Sequence, residues 1–266
     1  MRVISWNCRR AKATSPLWEY LLSKEPDIFL LQEVTSFPEL FLHQFDLRFL
    51  KAVYKNEKSQ SFGSLIGIKG RIKDSLVLSS SVPWLDQEID RFKQNLPAFI
   101  LHHENGETLK AVSVYSPAWP VPRERWEGRE VQGIKLDQNN DLWVTDLLFA
   151  GVKNYQDLSN GSWIIGGDYN LSETFDEWKG GPRGNREYLD RMAGLGLVEC
   201  LRTFQGKLTP TFRNTSGGAV RNQIDHLFVS RNLADRLVSC ETGTLEDIFD
   251  KNLSDHLPII ADFNFE

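Results

Sequence analysis

Cysteine is scarce in this sequence, and the few cysteines show no pattern. Three occur in 266 residues, at Cys8, Cys200 and Cys240, and none belongs to a Cys-x-x-Cys pair. An odd number of widely separated cysteines argues against both a disulfide framework and a zinc site. This usage favours a reducing compartment, and we expect a cytoplasmic protein.

Long apolar runs are also missing. No stretch of the chain is both long and apolar enough to predict a transmembrane helix. The N-terminal segment, MRVISWNCRR, lacks the apolar core of a signal peptide and leads directly into strand-like sequence. We therefore expect neither a membrane partner nor export.

The sequence also lacks a large excess of basic residues. The chain has 31 Lys and Arg against 36 Asp and Glu, for a net charge of -5. This balance argues against a protein coated with basic charge for nucleic acid, although a local basic groove is still allowed. A metal ion bound by several carboxylates would also offset part of the negative charge.

The chain shows no linker, low-complexity tract or internal repeat, so we predict one domain over residues 1–266. Predicted strands outnumber helices, and helices fall between strands in both halves, which favours an α/β architecture of two sheet layers covered by helices. We also predict a helix from Asn139 to Tyr155. Ser15 and Asn185 are expected to cap two other helices.

Polar side chains follow or begin several apolar, strand-like runs. The stretch SWIIGGDYNL is typical, because a buried strand ends there in Asp168 and Asn170. Loops at strand ends are where a rigid scaffold displays reactive groups. The other polar residues at such positions are Asn7, Glu33, Tyr115, Asp225, Asp255 and His256.

Each of these residues alone is more often a turn or packing residue, but their combination indicates a particular chemistry. Carboxylate and amide oxygens suit Mg²⁺ or Mn²⁺ rather than zinc. His256 could bind or protonate a phosphate oxygen, and an acidic partner such as Asp225 would hold its tautomer and favour its charged form. The set predicts metal-assisted attack of water on a phosphate ester.

The stretch before Asp168 carries two glycines, Gly166 and Gly167. We expect them to let the backbone turn sharply and approach a metal and a phosphate closely. The spacing of Asp168 and Asn170 would place both side chains on one side of an extended segment.

Six short motifs, in order, resemble the endonuclease/exonuclease/phosphatase superfamily, which includes DNase I and the exonuclease III type apurinic endonucleases. The motifs are SWN, LLQE, VYSP, GGDYN, QIDHLFVS and SDHLPI, and they extend from Ser5 to Ile259. The resemblance implies a four-layer αββα sandwich, in which two packed mixed β-sheets are flanked by helices. It also implies a divalent-metal phosphodiesterase or phosphatase.

The resemblance implies a role for each matching residue. Metal binding falls to Glu33, with Asn7 beside it and Asp255 close by. Asp168 would orient or deprotonate the attacking water, and Asn170 would position the phosphate or that water. The remaining matches are His256, which would stabilise the phosphoryl oxygens, Asp225 as its partner, and Tyr115 as a phosphate contact.

One departure from the family pattern lies at Arg9, where some apurinic endonucleases have an acid. Arg9 and Arg10 could contact phosphates that flank the cleaved one, or could serve only surface solubility. Residues 116–130, SPAWPVPRERWEGRE, interleave tryptophan and arginine, and such a loop could stack bases and follow a backbone. Alternatively, its tryptophans pack on the protein body. The remaining substrate-contact candidates are Trp119, Arg123, Arg125, Trp126, Arg213 and Arg221.

Three functional hypotheses follow. The first is a magnesium- or manganese-dependent nuclease acting on DNA or RNA. The second is a phosphoesterase for an inositol phosphate, sphingomyelin or another small phosphoester. The third is a non-catalytic nucleic-acid-binding module on the same fold. The loop rich in arginine and tryptophan favours the first over the second, and the complete set of site residues argues against the third.

Overall fold

Two β-sheets form the centre of the molecule in the computed structural model, which describes residues 1–214 and 219–265. Within those ranges, each sheet contains six strands. The strands are β1 Arg2–Ala11, β2 Ile28–Val34, β3 Asp46–Val53, β4 Ser59–Ile68, β5 Gly70–Ser75, β6 Ala98–His103, β7 Thr108–Tyr115, β8 Trp163–Asp168, β9 Leu197–Glu199, β10 Asp225–Ser230, β11 Leu237–Thr242 and β12 Ile259–Phe263.

Both sheets are mixed. The first has the order β11-β12-β1-β2-β4-β3, and the second has the order β5-β6-β7-β8-β10-β9. The pairs β1–β2 and β7–β8 are parallel, whereas the other paired strands are antiparallel. Within each parallel pair the two C-terminal ends lie at the same edge of the sheet, and polar residues follow at that edge.

Helices cover the outer face of each sheet and complete four layers. Helices α1 and α2 pack against the first sheet through an apolar cluster that includes Leu17, Phe41 and Phe29. Helices α3, α4 and α5 pack against the second sheet in another cluster. The helices are α1 Leu17–Ser23, α2 Phe41–Gln44, α3 Pro83–Arg91, α4 Val144–Val152, α5 Asn185–Gly194, α6 Cys200–Gln205 and α7 Arg231–Ala234, with short helical turns at Arg123–Arg125, Glu173–Glu177 and Glu246–Asp250.

The predicted four-layer α/β sandwich is therefore confirmed. In the part of the chain that the structure describes, no helix has the length and apolar character needed to cross a membrane.

Three predicted helix details are wrong. The helix predicted from Asn139 to Tyr155 begins only at Val144 and ends at Val152, because residues 139–143 form an irregular segment with bends. Ser15 does not cap α1, because its hydroxyl accepts a hydrogen bond from the Lys12 backbone N–H instead.

The N-terminus of α5 is capped from outside the helix. Asn185 is the first helical residue rather than the cap. The side chain of Asp176, in the preceding helical turn, accepts hydrogen bonds from the backbone N–H groups of Asn185 and Arg186. A negative charge at this position also favours the positive end of the helix dipole.

The space between the two sheets changes from apolar to polar along the strands. Because side chains alternate between faces, every second residue of a strand points into this space. At one end these residues form a common apolar cluster. Towards the other end the same faces carry small polar and then functional side chains. The series are Val3, Ser5 and Asn7 on β1; Ala111, Ser113 and Tyr115 on β7; and Ile164, Gly166 and Asp168 on β8.

The glycines before Asp168 serve strand packing rather than a turn. Both lie inside β8, and Gly167 has a φ of +152°. A Cβ atom on Gly167 would lie 1.9 Å from the carbonyl oxygen of Val114, and one on Gly166 would lie 2.7 Å from Leu227 Cδ1. The expectation that these glycines permit a sharp turn is therefore wrong, because both lie within a strand and against adjacent strands. Their close approach to a metal and a phosphate stays a prediction.

A buried acid in α4 gives a prediction about stability. Asp146 is completely buried, and burial raises the pKa of its carboxyl group to about 7. One oxygen accepts a hydrogen bond of 2.7 Å from the Trp143 backbone N–H. The other oxygen has no hydrogen-bond partner among the described residues. Ionisation of Asp146 therefore destabilises the folded state.

We predict that Asp146→Asn stabilises the protein at pH 8 and has much less effect at pH 5. The raised pKa means that the contribution of Asp146 to stability is lost as pH rises from the unfolded pKa through about 7. The free energy of unfolding of the wild type should fall relative to the variant by up to about 1.4 kcal/mol per pH unit in that window.

Urea unfolding at several pH values measures this difference. Asp235→Asn, at an exposed position, is the control and should show no such pH-dependent gain. Equal stability changes for Asp146→Asn at pH 5 and pH 8 would contradict the assignment.

Candidate active site

The polar end of the space between the sheets gathers most of the predicted site. In the second sheet, Asp168 lies beside Tyr115 of the parallel strand β7 and opposite Asp225 of the antiparallel strand β10. Residues Asp255 and His256 lie in the turn that precedes β12. The first sheet supplies Asn7 from β1 and Glu33 from β2.

A buried ion pair lies at the centre of the site. His256 Nδ1 lies 3.0 Å and 2.9 Å from the two carboxylate oxygens of Asp225. Burial lowers the pKa of His256, but the charge and hydrogen bond of Asp225 outweigh it and raise the pKa to about 10. The imidazole is therefore protonated at neutral pH, with Nδ1–H donating to Asp225. Within the described ranges, Nε2–H has no hydrogen-bond acceptor, and the Asp255 carboxylate is 3.9 Å away.

Asp168 is held by two side-chain amides. Asn7 Nδ2 donates to Asp168 Oδ2 at 2.9 Å, and Asn170 Nδ2 donates to the same oxygen at 3.2 Å. The Asn170 backbone N–H donates to Asp168 Oδ1 at 2.9 Å. Three of about four acceptor directions of the carboxylate are therefore used, and one is left for a further donor such as water.

The relation of Asp168 to Asn170 differs from the one expected. The strand ends at Asp168, and Asn170 has a left-handed backbone with a φ of +46°. The two side chains meet through a tight turn, not along an extended segment. The pKa of Asp168 is raised to about 7, because burial and the nearby Asp225 charge raise it more than His256 lowers it.

Glu33 and Asp255 form a second pair of acids beside this group. Burial raises the pKa of Glu33, the charge of Asp255 adds to that rise, and His256 and a hydrogen bond from Asn7 oppose it. Asn7 thus donates to both Glu33 and Asp168. Its Oδ1 accepts the Arg9 backbone N–H at 3.0 Å. In this orientation Asn7 positions two carboxylates as well as offering an oxygen ligand.

Two sets of residues could hold a metal ion. Among the described residues, Asp168, Asp225 and His256 have ligand atoms within 4.8 Å of one another. However, a protonated imidazole whose Nδ1 is bonded to Asp225 is a poor ligand, because metals bind neutral histidine. The donor set of Glu33, Asp255 and the Asn7 oxygen fits Mg²⁺ or Mn²⁺ better, because all of its donors are oxygens.

Tyr115 lies against this second pair of acids. Burial raises the pKa of its hydroxyl, and the charges of Glu33 and Asp168 raise it further. The hydroxyl is therefore protonated and lies beside Glu33. Its ring packs edge-on against Phe62 at 5.4 Å.

Left-handed backbone conformations are concentrated at the site. Eight non-glycine residues with positive φ are found among the described residues, and five of them border these acids. Such conformations cost roughly 1–3 kcal/mol each and persist where the surroundings enforce them, often at functional sites. The five are Arg9, Arg10, Glu33, Asn170 and Asn252.

The two arginines after Asn7 lie against the expected metal ligands. Arg9 Nε is 3.6 Å from Asp255 Oδ2, and Arg10 Nε is 4.0 Å from Glu33 Oε2. Both side chains are partly exposed, so they lie at the entrance of the site.

The loop rich in arginine and tryptophan requires a correction. Trp126 is buried, and its indole N–H donates to the Val121 carbonyl at 3.2 Å. Trp119 packs partly buried against Phe92, with ring centroids 6.0 Å apart. Neither ring is presented to solvent as a stacking platform, because the loop folds back on the protein body.

The arginines of this loop differ from each other. Arg125 lies within ion-pair distance of Glu57 and Glu88 and donates to the Lys55 carbonyl, so it ties the loop to the body. Its prediction as a substrate contact is wrong for that reason. Arg123 is well exposed and remains a candidate.

Arg213 and Arg221 lie in the segment that leads to β10. The Arg213 backbone N–H donates to the Asp255 carbonyl at 2.9 Å, and its guanidinium lies over the Phe249 ring at 4.3 Å. Arg213 is therefore held next to the site. Arg221 is exposed.

Sequence reasoning missed several supporting residues. Thr211 is fully buried, and its hydroxyl donates to Asp225 Oδ2 at 2.7 Å. Phe212 packs against the His256 ring with centroids 4.9 Å apart. The Ser254 hydroxyl donates to the Asn7 carbonyl at 2.7 Å. Only the quoted SDHLPI motif, which contains Ser254, gave a sequence signal for any of them.

Comparisons with known proteins agree with this fold. A family model described as the endonuclease/exonuclease/phosphatase family matches residues 4–256. No curated protein matches the chain.

Three solved structures are similar in fold. An AP endonuclease from Archaeoglobus fulgidus is 18% identical with a TM-score of 0.71, and 99% of each chain is covered. A 3'-5' exonuclease from Neisseria meningitidis is 18% identical with a TM-score of 0.71, and 100% of each chain is covered. A Neisseria 3' phosphatase bound to a product DNA hairpin is 19% identical with a TM-score of 0.71 and the same full coverage.

The Asp225–His256 ion pair gives a prediction that compares the effects of Asp225 and Asp255 on the pKa of His256. Asp225→Asn should lower the pKa of His256 by more than one unit, because Asp225 supplies the largest raising contributions. Asp255→Asn should lower it less, because Asp255 lies 3.9 Å from Nε2 and shares no hydrogen bond with it.

Titration of the histidine ring nitrogens by NMR measures both shifts. A His256→Ala spectrum assigns the signal among the five histidines. Equal shifts in the two variants would contradict the dominant role of Asp225.

Proposed function

The chain belongs to the endonuclease/exonuclease/phosphatase family, and we propose that it is a divalent-metal-dependent nuclease. In this proposal residues 1–266 form a single catalytic domain that hydrolyses phosphodiester bonds of DNA or RNA. Family membership and the fold of the similar structures indicate hydrolase activity.

One observation carries the proposal. Asp168 and the Asp225–His256 pair meet at the polar end of the space between the sheets, with a further carboxylate pair beside them. This arrangement combines a proton acceptor, a protonated donor and oxygen ligands in a buried place. Preorganised charges of this kind stabilise a charged transition state most effectively where water is excluded.

Asp168 is the proposed general base. The amides of Asn7 and Asn170 fix its carboxylate, and one acceptor direction remains for the proton of an attacking water. Its raised pKa of about 7 makes it a stronger base than an exposed carboxylate.

His256 is the proposed stabiliser of the phosphoryl oxygens. Asp225 holds its ring and is itself held by Thr211, so the Nε2–H is available to donate to a phosphoryl oxygen. The positive imidazolium would offset negative charge that develops there. Tyr115, with a protonated hydroxyl beside Glu33, offers a further donor.

Glu33 and Asp255, with the oxygen of Asn7, are the proposed ligands of Mg²⁺ or Mn²⁺. The ion would polarise the phosphate and reduce its repulsion of an incoming nucleophile. In this arrangement Glu33 keeps its charge because the ion offsets the burial that raises its pKa.

Nucleic acid is the proposed substrate class. Several arginines border the site, namely Arg9, Arg10 and Arg213, while Arg123 and Arg221 are exposed. Positive side chains at the rim would contact phosphates that flank the cleaved bond. One structural relative is described as bound to a DNA hairpin, which supports DNA as the first substrate to test.

We predict that Asp168→Asn and His256→Ala each reduce turnover by at least about 100-fold, because each removes a group that acts on the reacting atoms. The assay contains Mg²⁺ or Mn²⁺ and a panel of plasmid, single-stranded DNA, abasic duplex, RNA and inositol phosphates. Both variants should unfold within a few degrees of the wild type.

The matched controls are Asp235→Asn and His102→Ala, which alter exposed residues of the same types. Chelation of the metal should abolish activity, and added Mg²⁺ should restore it. Turnover close to wild type in both site variants would contradict the mechanism. Cleavage of inositol phosphates alone would move the substrate class to small phosphoesters.

A further inference from the structure

Arg9 has two anchors at the entrance of the site. Its Nη1 donates to Asn252 Oδ1 at 3.0 Å, and its Nε lies 3.6 Å from Asp255 Oδ2. The Arg9 backbone N–H donates to the oxygen of Asn7. The guanidinium is therefore directed at one of the two carboxylates that form the proposed metal site.

Arg10 is directed at the other carboxylate. Its Nε lies 4.0 Å from Glu33 Oε2, and its guanidinium lies 5.3 Å from the centre of the Phe62 ring. Phe62 in turn packs against Tyr115. The aromatic face holds the charged group close to Glu33 although most of the side chain is exposed.

The backbone that presents these side chains is strained. Arg9 and Arg10 have φ values of +46° and +59°, within the irregularity that shifts the pairing of β1 with β2 between Asn7 and Ala11. Glycine would adopt these conformations without a penalty. Two consecutive arginines therefore occupy positions that disfavour them, which points to a use for their charge.

The charges of the site nearly balance. The four carboxylates are Glu33, Asp168, Asp225 and Asp255, and the three cations are His256, Arg9 and Arg10. With all of them ionised, the net charge is -1. One divalent ion changes it to +1, and one phosphodiester monoanion then brings it to zero. A second divalent ion would raise the net charge to +2, which repulsion between like charges disfavours.

From these contacts and charges we propose that Arg9 and Arg10 take the place of a second metal ion, so that the site binds one divalent ion together with one phosphodiester. The inference deepens the proposed function and rests on it. Before metal binds, the arginines neutralise Asp255 and Glu33. A divalent ion held by Glu33 and Asp255 would replace the guanidinium groups as their counter-charge, and Arg9 and Arg10 would then contact the phosphate.

This arrangement couples the two ligands. The arginines oppose the ion in the absence of phosphate, because like charges repel. A phosphate monoanion between them removes that repulsion, so phosphate should tighten metal binding. By linkage, the metal tightens phosphate binding by the same factor. If the arginine residues only support the fold, replacing them should leave this coupling unchanged.

The test is a titration of the full-length protein with Mn²⁺, followed by electron paramagnetic resonance and calorimetry at low ionic strength. Dimethyl phosphate is the phosphodiester probe, and an equal concentration of sodium chloride is its ionic control. The wild type should bind one Mn²⁺, and dimethyl phosphate should lower the Mn²⁺ dissociation constant.

Arg9→Gln should change the Mn²⁺ affinity by different amounts under the two conditions. Without phosphate, the variant should bind Mn²⁺ roughly fivefold more tightly than the wild type, because one repelling charge is gone. With dimethyl phosphate, most of that advantage should disappear because the coupling is reduced. Arg9→Lys, which keeps the charge, should retain the coupling.

Arg10→Gly is a second variant that keeps the test informative if Arg9→Gln does not fold. It removes a charge from a left-handed position that glycine tolerates, so it should preserve the thermal midpoint while raising Mn²⁺ affinity. Arg236→Gln removes an arginine paired with Glu107, away from the site, and should leave Mn²⁺ affinity unchanged.

Two Mn²⁺ ions of similar affinity in the wild type would overturn the inference. Unchanged or weaker Mn²⁺ binding in both Arg9→Gln and Arg10→Gly would do the same, and an absence of any Mn²⁺ binding would overturn the metal site as well. A single coupled Mn²⁺ ion without hydrolysis of any panel substrate would support the inference while contradicting the proposed nuclease activity.

Discussion

Repulsion among four carboxylates at the buried end of the two sheets is the constraint that organises this molecule. Glu33, Asp168, Asp225 and Asp255 lie close enough for their charges to alter one another's environment. Uncompensated buried charge is too costly for a folded chain to retain. Each neighbour of these acids therefore offsets their charge: a protonated histidine, two arginines and two amides that donate hydrogen bonds.

The change from apolar to polar side chains along the strands lets the fold tolerate the free-energy cost of the buried carboxylates. A strand such as β1 contributes Val3 to the apolar layer, Ser5 to the middle and Asn7 to the site, all on one face. The apolar end stabilises both sheets, while rigid neighbouring strands hold Tyr115, Asp168 and Asp225 side by side. The apolar layer that stabilises the sheets is therefore only two layers of side chains away from the polar site.

Much of the site was predictable because it follows strand ends. Asp168, Asp225 and His256 stand where an apolar run changes to polar residues, and that change is visible in the sequence. Thr211 and Phe212 were missed because their positions depend on backbone pairing of Phe212 with both Asn222 and His256. Pairing between distant segments leaves no local sequence pattern.

The role of the loop after Tyr115 could not be predicted from its sequence for a different reason. Tryptophan, proline and arginine are equally compatible with a substrate-binding surface and with packing on the body. The partner of Arg125 that decides the question is Glu88, on a helix 37 residues away. Likewise, the role of the glycines before Asp168 depended on how closely β7 approaches β8, and a single strand cannot reveal that distance.

The hydrogen bonds between β1 and the turn before β12 have a consequence for synthesis of the chain. The Trp6 indole donates to the His256 carbonyl at 2.8 Å, and Ser254 donates to the carbonyl of Asn7. These partners are about 250 positions apart, so the two sides of the site meet only after the intervening chain has been translated. A chain that stops before Ser254 therefore contains Asp168 but lacks His256, and the buried ion pair with Asp225 cannot form.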